Sequence, residues 1–269
     1  MSISWSDSDP GGRRDPVVFL HAFPLNCAMW EEQVLDLSKS HRTITLDWPG
    51  FGKSPISALP ANGEGVGSLD GYALCVLDLF NRLGIDRAHV CGLSMGGYVA
   101  LSLLRLAPQR IRSLILCDTR ATADTPEARQ ARYEMVSMIR QSGEEGIERL
   151  ASAMIERLLG DSTLTSNREL VSRVLNIMRQ SSPVGVERAL VAMAGRPDST
   201  NLLPQLGASS GIDTLIIVGN EDKLTPPSEM KTLAGLIPNS SISVIEKAGH
   251  LPNLEQAEVF NRIIREFLP

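Results

Sequence analysis

Short apolar runs alternate along the chain with longer amphipathic stretches. The runs VVFL (17–20), TITL (43–46), AHVC (88–91), SLILC (113–117), TLIIV (214–218) and SISVI (241–245) are rich in β-branched and aliphatic residues. Most are nearly continuous in apolar side chains, the pattern of strands buried on both faces. Between them the spacing becomes helical. SLDGYALCVLDLFNRLG (68–84) places Leu74, Leu77 and Phe80 at helical intervals and ends on Gly84, a C-terminal cap. GGYVALSLLRLAPQR (96–110) is stopped by Pro108, and QAEVFNRIIREFL (256–268) is the last helical stretch. Strands alternating with helices predict the α/β class, a mostly parallel sheet with helices on both faces.

The alternation stops between about 119 and 210, where four helical segments follow one another (roughly 126–141, 143–159, 166–180 and 183–194) with no convincing strand. This divides the chain into a first core part (1–118), a helical lid insertion (119–210) and a second core part (211–269). The Gly-rich segment SALPANGEGVGS (57–68) is expected at the surface, just beyond a strand-end loop.

Composition narrows the functional classes. At 269 residues the chain holds one large domain, and 21% charged residues against 43% hydrophobic is ordinary for a globular protein. A net charge of -5 argues against a nucleic-acid partner, which would call for a basic excess. No apolar run reaches the ~18 residues of a membrane span, and MSISWSDSDPGGRRD lacks the layout of a secretory signal, so the expected location is the cytoplasm. Cys27, Cys75, Cys91 and Cys117 form no CxxC pair and are expected to be reduced and structural, with no metal.

The candidate chemistry starts at GLSMGG (92–97), between a strand-like and a helix-like run. Gly92-Leu93-Ser94-Met95-Gly96 fits G-x-S-x-G, in which a sharp strand-to-helix turn leaves room for no side chain at the flanking positions and holds the serine out for attack. The pentapeptide alone fits a plain turn with a capping serine equally well. A nucleophilic hydroxyl needs a base. Of four histidines, His41 precedes a strand and is expected to face solvent, His89 begins the strand leading to Ser94, and His21 closes VVFL. His250, in EKAGHLPNLEQ after the last strand-like run, is the candidate base, although alone it reads as a surface histidine. Asp222, in the turn-rich loop GNEDKLTPP, is favoured as the orienting acid over Asp118, which follows another strand; the adjacent Glu221 should point elsewhere. The backbone N–H groups of Met95 and of Phe23, in HAFPLN (21–26), are candidate oxyanion donors, with His21 holding that loop.

These segments together resemble the α/β-hydrolase superfamily over nearly the whole chain. HAFPLNCAMW resembles its His-Gly-x-Pro oxyanion loop, with Ala22 in place of glycine, and LDWPGFGKS (46–54) resembles its Asp-x-x-Gly-x-Gly-x-Ser segment. GLSMGG is similar to the nucleophile elbow, GNEDKLTP to the acid loop and AGHLPNLEQ to the histidine loop, and Ser94, Asp222, His250 follow the family's order of triad members. The resemblance implies the α/β-hydrolase fold with a helical cap. Within it, the chain resembles small bacterial esterases and lactonases, including 3-oxoadipate enol-lactonase-like and acyl-homoserine-lactone-cleaving members. That branch implies a small-molecule ester or lactone substrate, no cofactor or metal, no nucleic-acid or membrane partner, and a homodimer as an open assembly state. The short N-terminal part implies that the first strands of the usual sheet are trimmed, or carried by SISW.

Serine at position 94 points to acyl transfer and away from the branches with a nucleophilic aspartate. Carbon–carbon hydrolases, perhydrolases and hydrolase-fold ligand receptors with little turnover keep a serine and stay open. For the substrate pocket the candidates are Trp30 and Trp48, each near a strand-end loop, and Met135, Met138 and Met154 of the helical segment. Methionines at such spacing more often fill a core. Arg132, Arg140, Arg149 and Arg157 read as solvated helix faces rather than a carboxylate clamp.

Overall fold

Each predicted strand run forms a strand of one sheet in the computed structural model, which describes residues 3–12, 14–58, 67–207 and 210–269. The strands are β1 (Trp5–Asp7), β2 (Pro16–Leu20), β3 (Arg42–Leu46), β4 (Ala88–Leu93), β5 (Ile111–Cys117), β6 (Asp213–Gly219) and β7 (Ser241–Ile245), in spatial order β1-β3-β2-β4-β5-β6-β7. Only β1 runs antiparallel, against β3; the SISW segment contributes just its tryptophan to it.

The continuous apolar runs supply two cores at once. Val18, Leu20, Val90 and Leu116 face a core covered by α2 (Leu69–Arg82), α3 (Met95–Leu106) and α9 (Pro227–Gly235). Their neighbours Val17, Phe19, Cys91 and Cys117 face a second core with α1 (Glu31–Leu37) and α11 (Ala257–Phe267). Alternation of side chains about the sheet plane sends successive residues to opposite faces, so both parities must be apolar. β7 is the exception as an edge strand, with Ile242 and Val244 each 37% exposed. In α2 the buried stripe is Tyr72, Val76, Leu79 and Phe80; Leu74 and Leu77 lie at its margin, half-buried. Gly84 ends that helix, and the Ile85 N–H reaches back to the Phe80 carbonyl.

Between β5 and β6 the chain folds as five α-helices: α4 (Pro126–Ser142), α5 (Glu144–Leu158), α6 (Asp161–Ser166), α7 (Arg168–Met178) and α8 (Pro183–Ala194). The six-residue α6 is too short to leave a periodic signal, which is why four segments and not five are visible in the pattern. α4 packs on α8 and α5 on α7. No helix among the described residues is long and apolar enough to cross a membrane. Of the Gly-rich segment 57–68, residues 59–66 lie outside the described residues. The parallel connections bring the loops after β2, β4, β5, β6 and β7 to one edge of the sheet, where an open α/β sheet builds its sites.

Candidate active site

Ser94 stands on the turn between β4 and α3 with φ 54° and ψ -114°, a left-handed conformation that a side-chain-bearing residue adopts only under constraint. The constraint comes from close packing. A Cβ at Gly92 would collide with the Gly96 carbonyl, and one at Gly96 with the Leu20 carbonyl. The turn is pinned by Ser94 N–H to the Cys117 carbonyl (2.9 Å) and by Thr119 Oγ1, which donates to the Ser94 carbonyl (2.8 Å).

The histidine and acid loops converge on this hydroxyl. His250 Nε2 is 2.8 Å from Ser94 Oγ, and His250 Nδ1 is 2.8 Å from Asp222 Oδ2. An ionised carboxylate can only accept, so Nδ1 carries the proton and the Nε2 lone pair is left for the serine hydroxyl to donate into. Asp222 Oδ1 accepts from the N–H groups of Leu224 (2.7 Å) and Thr225 (3.2 Å), and Oδ2 accepts from Thr225 Oγ1 (2.5 Å). Burial raises the cost of the Asp222 charge, but the facing His250 and these hydrogen bonds outweigh it and hold the carboxyl well below the usual range. His250 and Asp222 are 2% and 4% exposed, so the relay is shielded from water, while Ser94 is half-buried and open to the cavity.

Asp118 sits behind this pair and does not meet the imidazole as its hydrogen-bond partner. It has φ 43°, is fully buried, and accepts the Gly219 N–H at 2.9 Å. Burial, and then the Asp222 charge, push its carboxyl well above the usual range, which favours the neutral acid. Ligand atoms of Asp118, Asp222 and His250 lie within 4.8 Å of one another. The imidazole nitrogens and the Asp222 oxygens are already engaged with Ser94, Leu224 and Thr225, so this set is built around protons rather than a cation. Glu221 turns away, accepting from Ser162 of α6.

The two candidate oxyanion donors are Met95, next to the serine in the chain, and Phe23. Neither the Met95 nor the Phe23 N–H meets an acceptor among the described residues, and Phe23 lines the cavity beside Ser94. Ala22 has no positive φ, so its methyl is accommodated. His21 braces the loop, donating from Nδ1 to the Ala22 carbonyl (2.9 Å) and accepting the Trp48 N–H at Nε2 (3.0 Å). Burial lowers its pKa to about 4, so it is neutral and structural. His89 lies at the start of β4, hydrogen-bonded to Ser113 Oγ at 2.7 Å. His41 is not solvent-facing as expected: it is 8% exposed and packs edge-on against His89.

The cavity above Ser94 measures about 280 Å³. Met135 and Met154 line it, and so does Met193. Met138 does not; it packs instead against the core. Trp30 and Trp48 are likewise corrected from pocket to core. Trp30 is fully buried against Phe19 and Phe260, and Trp48 is fully buried between His21 and Tyr72. Loop-flanking position cannot separate an aromatic that faces the site from one that anchors the loop from beneath. Arg132 is half-buried and lines the cavity, against the expectation of a solvated face; Arg157 is exposed as expected and also lines the cavity, whereas the exposed Arg140 and Arg149 pair with Glu187 and Glu145. Thr225, which clamps the acid, was missed; its signal is the Asp-Lys-Leu-Thr spacing of a side-chain-closed turn.

The profile of the family described as "alpha/beta hydrolase fold" matches residues 15–257. The chain belongs to the alpha/beta hydrolase fold family. Among curated members of similar sequence, 3-oxoadipate enol-lactonase 2 of Acinetobacter baylyi is 27% identical over 251 residues, covering 93% of this chain and 87% of the relative. A thermophilic esterase from Thermogutta terrifontis, solved with malate bound, superposes with a TM-score of 0.89 at 39% identity, over 98% of this chain and 92% of that one. The enol-lactonase from Burkholderia xenovorans LB400 shares the fold, with a TM-score of 0.85 at 24% identity over 98% and 95% of the two chains.

Proposed function

We propose that this alpha/beta hydrolase cleaves carboxylic esters or lactones through an acyl-enzyme. Ser94 Oγ attacks the carbonyl carbon while His250 Nε2 takes its proton. The N–H groups of Phe23 and Met95 hold the oxyanion that forms, and His250 then protonates the departing alkoxide. Water, deprotonated by His250, attacks the acyl-serine; the acid is released and His250 returns the proton to Ser94 Oγ. Asp222 keeps the Nδ1–H tautomer in place and stabilises the imidazolium between these steps. The observation that carries the reading is the unbroken relay, with 2.8 Å at each side of His250, ending on a serine held in a strained turn.

The segment 119–210 serves as a lid in this reading. Its Met135, Met154, Leu190 and Met193 offer an apolar, adaptable wall to an acyl chain. The test is a series of esters and lactones of graded acyl length offered to wild type and Ser94→Ala. Turnover is expected to fall at least ~10³-fold in the variant, with an acyl adduct on Ser94 found by mass spectrometry in the wild type only. Near-normal turnover by Ser94→Ala would overturn the assignment.

A further inference from the structure

The charges around the cavity are one-sided. Arg120, Arg132, Arg157 and Lys223 line it, and Asp124 is the one carboxylate among the lining residues. This stands against the balance of the whole chain, which is -5. The immediate partners leave an excess. Asp124 is shared by two guanidiniums, Arg132 (2.5 Å) and Arg196 (2.6 Å), so that cluster retains one positive charge. Arg120 is matched by Glu229, and Lys223 by Asp161. Arg157, exposed in the last turn of α5, makes no ion pair or hydrogen bond among the described residues. A helix C-terminus stabilises a cation at such a place, so the fold carries this charge without a carboxylate to neutralise it.

We propose that the cavity selects an ester or lactone bearing a second, free carboxylate, which Arg157 receives, with the one surplus charge of the Arg132–Asp124–Arg196 cluster on the same cavity. This rests on the hydrolase reading above. The methionines and leucines of the cavity wall contact the carbon chain, and the arginine at the rim takes the anion at its far end. A guanidinium suits a carboxylate because its paired N–H groups match the two oxygens. A cationic rim also concentrates anionic substrate before it enters, an effect that added salt screens.

The test compares monomethyl succinate, glutarate and adipate with methyl esters of the neutral acids of equal chain length. Wild type is expected to favour the anionic series about 10-fold in kcat/KM, mainly through KM, and the preference is expected to shrink as salt is raised. Arg157→Gln lowers the ratio several-fold, free glutarate inhibits the wild type competitively and the variant more weakly, and Arg149→Gln, on the solvent side of the same helix, leaves the ratio alone. Cleavage of both series with no preference, or a preference that Arg157→Gln and salt leave intact, would overturn the inference and spare the hydrolase reading. Failure of the wild type to cleave either series would overturn both.

Discussion

The sheet edge beneath the cavity and the helical roof above it are built on different principles. At the edge, every group of the relay has a backbone hydrogen bond, supplemented by the short hydroxyls of Thr119 and Thr225. Ser94 is gripped by Gly92, Gly96 and Cys117, Asp222 by the N–H groups of Leu224 and Thr225, and the His250 N–H by the carbonyl of Leu158, the last residue of α5, where roof and edge meet. In the roof, side chains hold side chains: Arg132 and Arg196 on Asp124, Arg179 on Glu148, Arg140 on Glu187. Backbone fixation in a buried setting gives one geometry, as proton transfer requires. Long side chains on amphipathic helices tolerate exchange, which suits the part of a site that reads the rest of the substrate. In the proposed function the edge carries the chemistry and the roof the choice of substrate.

The sharpest challenge lies within the edge itself, where two buried carboxyls compete for one role. Asp222→Asn should cost about 10⁴-fold in kcat, because an amide no longer enforces the productive tautomer. Asp118→Asn should cost less than about 10-fold, since the neutral amide replaces an acid whose surroundings already favour its neutral form. Measured turnover of one ester by both variants decides it; the reverse order would move the acid role to Asp118.

A smaller effect concerns the strut beneath the oxyanion loop. The His21 pKa is lowered to about 4 in the fold, against an ordinary value of 6.5. Its stabilising contribution is therefore complete above the unfolded value and is lost as pH falls towards the folded one, because the unfolded chain takes up a proton that the buried ring refuses. The difference amounts to roughly 3 kcal/mol. Urea unfolding across that window should show a steeper loss in wild type than in His21→Gln, which is less stable at neutral pH but lacks this titration. Parallel slopes would mean that the edge is not rigid there.

The smallest effect tests the roof. Met154→Ala enlarges the cavity wall and should shift preference towards longer acyl chains by a few-fold, for about 1 kcal/mol of stability at this half-buried position. A large loss for all chain lengths alike would place Met154 in the chemistry and erase the contrast between edge and roof.

The legibility of the molecule follows the same division. Ser94, Asp222 and His250 stand out as candidates because each occupies a loop directly after a strand, where local turn chemistry leaves a mark: glycines at 92 and 96, the 222–225 turn, the Gly-His-Leu-Pro bend. Trp30 and Trp48 are not legible in this way, because loop proximity says nothing about which side of the loop an indole takes, and both anchor it from the core. Arg157 and Arg149 lie on one helix and are both exposed, and only the packing of α5 brings Arg157, and not Arg149, to the cavity.

By itself the sequence determined the α/β class, the strand runs, the helical segment and the candidates for the reacting groups, because strand burial and tight turns are local demands that restrict residue type. Only the tertiary structure shows the Asp222 carboxylate at 2.8 Å from the imidazole with Asp118 unbonded to it, Thr225 clamping the acid, His41 buried, and Arg120, Arg132, Arg157 and Lys223 brought together around one cavity. These depend on how far apart in space residues distant along the chain come to rest. Distance of that kind is set by the packing of whole elements, and periodicity carries no record of it.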